Sequence, residues 1–208
     1  MNKKYFFSGI LSVALFGTMV NGYSEDATGE KTQTEAAKAS YDLGANGYKG
    51  WKAGTVEASV AQKEEAGKAI LIFKVVVDHT KDGKGKTDGK YLKGWPRAYH
   101  YFKPIIELGK YKEFSFDYKI TTTQKDAEKN PIYAYFNSGK TAITMPFDAG
   151  KEDGEWHNKV ITIADIIKNS KKSADDWQQL TMMNFGLAER NYPDKTEIIV
   201  EIKNLRLQ

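Results

Sequence analysis

From residue 40 onward the apolar positions fall in short runs, separated by clusters of Gly, Asp, Asn and Lys. Lys112 to Ile120 alternates: Phe114, Phe116, Tyr118 and Ile120 share one side, and Ser115, Asp117 and Lys119 the other. A period of two predicts a half-buried strand with the aromatics inward. Ile132 to Asn137 behaves alike, setting Ile132, Ala134 and Phe136 against Tyr133, Tyr135 and Asn137. Gly67 to Val77 is too short and too rich in β-branched residues for a comfortable helix, and reads as a strand. Further strands are expected at Ala98–Phe102, Ala142–Pro146, Trp156–Ile163, Leu180–Leu187 and Thr196–Ile202. Pro146 suits the end of an edge strand, where its missing N–H costs no ladder bond. Helical periodicity is confined to Ile163–Ser170 and Ala174–Gln179. Many short strands with few helices predict an all-β, antiparallel sandwich built as one domain over residues 41–208.

Two connections stand out. Asp78 to Gly94, dense in Lys and Gly, is longer than an ordinary turn, whereas Thr121 to Asn130 reads as a solvent hairpin.

The N-terminal pattern is different. Lys3 and Lys4 precede a largely apolar stretch from Tyr5 to Val20, and Val20-Asn21-Gly22 supplies small residues. Residues 1–22 therefore read as a signal peptide rather than a lasting membrane anchor, because the stretch is at the short end of a bilayer span. Residues 23–40 form a flexible lead-in of Glu, Thr, Ala and Lys. The expected location is secreted or periplasmic, with no stable membrane anchor.

Composition narrows the chemistry. The 208 residues include no cysteine, which excludes disulfide scaffolds, thiolate metal sites and cysteine nucleophiles. Removing residues 1–22 leaves 29 of the 31 basic residues against all 27 acidic ones, so a nucleic-acid partner is not expected. The same cut changes 12 Tyr and 10 Phe into 11 and 7, and tyrosine is the aromatic that wants a wet edge.

Catalytic patterns are poorly represented. His79, His100 and His157 lack metal spacing, and there is neither a G-x-S-x-G turn nor a phosphate-binding glycine loop. Glu152 and Glu155 lie three apart across a glycine, which reads as an acidic turn and not as a paired-carboxylate site. The outward tyrosines remain. Arg97, Tyr99 and Tyr101 share a strand face, as do Tyr133 and Tyr135, with Asp117 outward on its own strand. Aromatic faces beside polar groups suit pyranose rings, which offer C–H faces and fixed hydroxyls. The same tyrosines would also serve as packing under covering loops.

Several segments carry a family likeness: Tyr41-Asp42-Leu43-Gly44, Gly50-Trp51, Gly67-Lys68-Ala69-Ile70-Leu71, Trp95-Pro96-Arg97, Gly154-Glu155-Trp156 and Ile202-Lys203-Asn204-Leu205-Arg206-Leu207. Their order over residues 41–207 resembles the galactose-binding-like jelly rolls among secreted carbohydrate-binding modules. That resemblance implies a jelly-roll sandwich with a glycan on a concave sheet face. It also implies a structural calcium, with Asp42 and Asn204 as the residues in place. Lys203 stands where the family's final aspartate is usual, and its charge opposes a cation.

Three functions follow as expectations. The first is a non-catalytic module binding a poly- or oligosaccharide through Arg97, Tyr99, Tyr101, Asp117, Tyr133 and Tyr135. The second is a polysaccharide lyase or glycoside hydrolase using Arg97, Tyr99 and His100. The third is a structural or adhesive surface protein whose tyrosines pack against other cell-surface or extracellular proteins.

Overall fold

The computed structural model describes residues 40–80, 95–123, 132–147 and 153–208. The expected signal peptide, the lead-in up to residue 39, most of the two long connections and Glu152 lie outside these residues.

Eleven strands are present among the described residues. In chain order they are β1 (Tyr41–Asp42), β2 (Lys52–Ala53), β3 (Ala58–Glu65), β4 (Lys68–Val76), β5 (Arg97–Glu107), β6 (Glu113–Thr122), β7 (Tyr133–Asn137), β8 (Ala142–Pro146), β9 (His157–Thr162), β10 (Gln179–Gly186) and β11 (Glu197–Leu207). They form two antiparallel sheets. One runs β3-β4-β11-β6-β9, with β1 paired to the far end of β11; the other runs β2-β5-β10-β7-β8. The fold is the all-β sandwich that the alternation predicts.

One helix, α1 (Ile163–Ser170), follows β9. The Thr162 side chain caps it by accepting from the Asp165 N–H, and Lys171 closes it in the left-handed region. Ala174–Trp177 is a single 3-10 turn.

The core lies between the sheets and comes from the inward half of each alternation. Phe114, Phe116 and Ile120 of β6 face Ala134 and Phe136 of β7 and Met183 and Phe185 of β10. Phe114 meets Phe136 with ring centroids 4.7 Å apart, and Phe116 meets Phe185 at 5.4 Å. Trp51, the tryptophan of the first turn, is stacked between His100 and Phe185. Burying aromatics of this size contributes about 2–3 kcal/mol each, and gives a cysteine-free domain its cohesion.

The strand Ala58–Glu65 was not expected from the sequence. It is an edge strand, so one of its two sides has no ladder partner, and its residues are largely polar and exposed.

Candidate functional site

Cross-strand register decides which outward residues meet. On the five-stranded sheet Lys52 stands opposite Tyr99, Tyr99 opposite Asn184, Asn184 opposite Tyr135, and Tyr135 opposite Thr144. This single row crosses all five strands on the outer face. A second row joins Arg97, Gly186, Tyr133 and Pro146, and a third joins Tyr101, Met182, Asn137 and Ala142. At about 4.8 Å between strands, Tyr99 and Tyr135 are roughly 10 Å apart across Asn184.

The middle of this face is a depression of about 420 Å³, lined by Trp95, Arg97, Tyr99, Tyr101, Tyr135, Thr144, Met182 and Asn184, with Ala53 and Gly54 at its rim. Asn184 lies at its floor, only 4% exposed, while Tyr101 is 60% exposed at the margin. Tyr99 meets Tyr101 edge-on at 5.6 Å, so each ring holds the other's orientation. The Tyr135 hydroxyl accepts from the Asn137 amide at 3.3 Å, leaving its own proton to donate outward. Asn137 is in turn held by Thr181, whose hydroxyl donates to its side-chain oxygen at 2.9 Å. Trp95 leans on Tyr133 at 5.5 Å. Gly186 lets the Pro96–Arg97 backbone approach β10: a Cβ there would come within 2.9 Å of the Pro96 carbonyl and 3.2 Å of the Arg97 Cβ.

Of the expected sugar-binding residues, Arg97, Tyr99, Tyr101 and Tyr135 meet in the depression, and Tyr133 lies on the same face, packed against Trp95. Asp117 does not join them. It belongs to β6 of the other sheet, where its two oxygens accept from the amides of Asn158 and Asn204. Alternation had shown that Asp117 points outward, but each sheet of a sandwich has its own outside. Trp95, Asn184, Thr144 and Lys52 were missed. The β10 register slips between Leu180 and Met182, which hides the parity of Asn184 in the sequence.

The residues of the lyase expectation are split. Arg97 and Tyr99 face outward, but His100 points inward against Trp51 and Phe102. Burial lowers its pKa.

Asp42 and Asn204 come together elsewhere, in a hollow of about 530 Å³ between the Gly44–Tyr48 turn and the β3–β4 hairpin. Asn204 sits in a bulge of β11 with φ +53°. The Asp42 carboxylate caps the Gly44 N–H at 2.7 Å, the Asn204 amide donates to Asp117, and Lys63 and Lys68 share the wall. The Tyr48 hydroxyl on the same wall is pushed up to about 12, first of all by burial. A calcium ion takes six to eight oxygen ligands. The wall holds two carboxylates (Asp42, Glu64), two carboxamides (Gln62, Asn204) and two ammonium groups; the Gln62 oxygen already accepts from the Tyr48 N–H, and among the described residues no cluster of three His, Asp or Glu could hold a metal.

No family model and no curated protein matches the sequence. Among solved structures, the chain is similar to a carbohydrate-binding module of the β-sandwich superfamily, with TM-score 0.50 and 11% identity over 79% of this chain and 59% of that one. It is also similar to part of an exo-β-agarase, with TM-score 0.52 and 9% identity over 81% of this chain and 24% of the other. The chain thus spans less than two thirds of either structure. These similarities establish the fold: a β-sandwich of the kind found in carbohydrate-binding modules.

Proposed function

We propose that this chain is an exported, non-catalytic carbohydrate-binding protein that lays a poly- or oligosaccharide across the outer face of its five-stranded sheet. The row Lys52–Tyr99–Asn184–Tyr135–Thr144 carries the reading. Two tyrosines flank a recessed amide at a spacing that takes a short run of sugar rings. The rings supply surface for pyranose C–H faces, and Asn184 supplies one acceptor and two donors for hydroxyls. The fold similarity to carbohydrate-binding modules is consistent with this use. Export rests on the signal-like pattern of residues 1–22.

The separation of His100 from Tyr99 supports a non-catalytic role, as does the lack of a carboxylate among the described residues lining the depression. A hydrolytic acid–nucleophile pair needs two carboxyl groups facing one sugar.

Isothermal titration with hexasaccharides tests the proposal, using the parent beside Tyr99→Ala and Tyr135→Ala. Each substitution is expected to weaken binding roughly tenfold or more while the fold persists. Absence of binding to every member of a broad glycan array would sink it.

A further inference from the structure

The three rows of the five-stranded face contain two cations and no acid. Arg97 is the only charged residue among the described residues lining the depression, and Lys52 ends the central row beside Tyr99. Ion pairs among the described residues engage Lys63, Lys74, Lys110, Lys119, His157 and Lys195, and none reaches Arg97 or Lys52. Glu107, at the distant end of β5, is taken by Lys110 at 2.6 Å.

Arg97 is also held in place. Its backbone carbonyl accepts from the Gly54 N–H at 2.8 Å, and its side chain lies across Gly54. A Cβ on Gly54 would fall 2.5 Å from the Arg97 Cγ and 2.8 Å from its Nε. Glycine therefore opens a channel along which the half-buried guanidinium is laid into the depression.

A ligand that covers this face strips water from that guanidinium. A neutral glycan returns only hydroxyl lone pairs, so much of the desolvation cost would stand. A carboxylate returns two parallel charge-assisted hydrogen bonds, matching the planar fork of arginine. We propose that the face selects a carboxylated glycan, a uronic-acid-containing poly- or oligosaccharide, with Arg97 gripping a carboxylate and Lys52 adding a second positive charge along the same chain. The inference rests on the carbohydrate-binding reading above and names the class of sugar.

The test is titration of the full chain with hexamers of galacturonate, mannuronate and guluronate, beside fully methyl-esterified galacturonate hexamer, xylohexaose, mannohexaose and a sulfated oligosaccharide. At least one uronate hexamer is expected to bind roughly tenfold more tightly than every neutral hexamer, and esterification should remove that advantage. Arg97→Gln should erase the selectivity, and Arg97→Lys should restore only part of it, because an ammonium lacks the fork. Circular dichroism confirms that each variant folds. Neutral hexamers bound as tightly as uronates, or the sulfated one bound more tightly, would overturn the selectivity while leaving the carbohydrate reading intact. Binding to no glycan at all would overturn both.

Discussion

The two outer faces of this sandwich treat their polar residues in opposite ways. On the six-stranded sheet, charges are closed upon each other. Glu201 of β11, only 7% exposed, receives the ammonium groups of Lys63 from β3 and Lys119 from β6. Lys74 pairs with Glu197 at 2.6 Å, and Asp117 is held between two asparagines. Lys203 lies over the Trp156 ring at 3.7 Å, joined by Lys119 at 5.1 Å. On the five-stranded sheet, aromatic rings, a recessed amide and the cations Arg97 and Lys52 have no acidic counterpart among the described residues. A face whose polar groups satisfy one another is inert, because a ligand would have to break those bonds to form its own. A face left open keeps its bonding capacity for a partner. Both are made of outward strand positions, so the contrast lies in what stands next to each residue across the ladder.

That contrast can be broken by substitution. The largest effect is expected from Tyr99→Ala combined with Tyr135→Ala, which should reduce glycan affinity about 100-fold in calorimetry while the urea midpoint changes little. A loss of stability matching the loss of binding would make the tyrosines packing residues and cancel the distinction between the faces.

Glu201→Ala should act in the reverse sense, lowering unfolding free energy by about 2 kcal/mol, since it leaves two lysines without their carboxylate. Glycan affinity should be unchanged; a concurrent drop would mean that the faces are coupled through the core.

Gly54→Ala sharpens the role of the open face. The new methyl group collides with the Arg97 side chain, so uronate affinity should fall roughly fivefold with little change in neutral-glycan binding. Equal losses for both ligand types would show that the glycine shapes the rim and not the guanidinium.

The smallest effects are in pH dependence, and here two glutamates differ in sign. Burial raises the Glu201 pKa, but the hydrogen bonds from Lys119 and Lys63 outweigh it, and the net shift is downward. Its contribution is present above the ordinary glutamate pKa and is lost as pH falls through the lowered folded value. Glu189, fully buried after β10, is raised by burial, with the Glu57 charge adding to the shift and the Asp78 N–H opposing it. The folded state holds that proton more tightly, so stability is highest below the ordinary glutamate pKa and falls as pH rises toward the folded one. Urea midpoints from about pH 2 to about pH 8 should therefore flatten below the ordinary glutamate pKa in Glu201→Gln and above it in Glu189→Gln. Parallel slopes in the two variants would contradict the assignment.

Much of this was legible in residue order. Alternation placed Phe114, Phe116, Phe136 and Ala134 inside and Tyr133 and Tyr135 outside, since a buried face tolerates no other parity. Ala142–Pro146 matches β8 to the residue, with the proline at the end of an edge strand. Asn184 was not legible, because the slip in β10 breaks the count from Leu180. Edge strand β3 was missed because Gln62 to Glu65 are polar and exposed on both faces, so no alternation is written there. Asp117 was grouped with the tyrosines for a related reason: parity is a property of one strand, whereas a site belongs to one sheet.

The sequence by itself determined the sandwich, the inward half of most strands and the surplus of tyrosines facing out. Only the tertiary structure decided which outward residues share a face, that among the described residues Glu201 has two lysine partners and Arg97 no ion pair, and that Gly54 leaves the space the Arg97 side chain occupies. The physical reason is range. Burial on a pleated strand repeats every two residues and is written locally, but strand order and register are set by contacts among residues far apart in the chain.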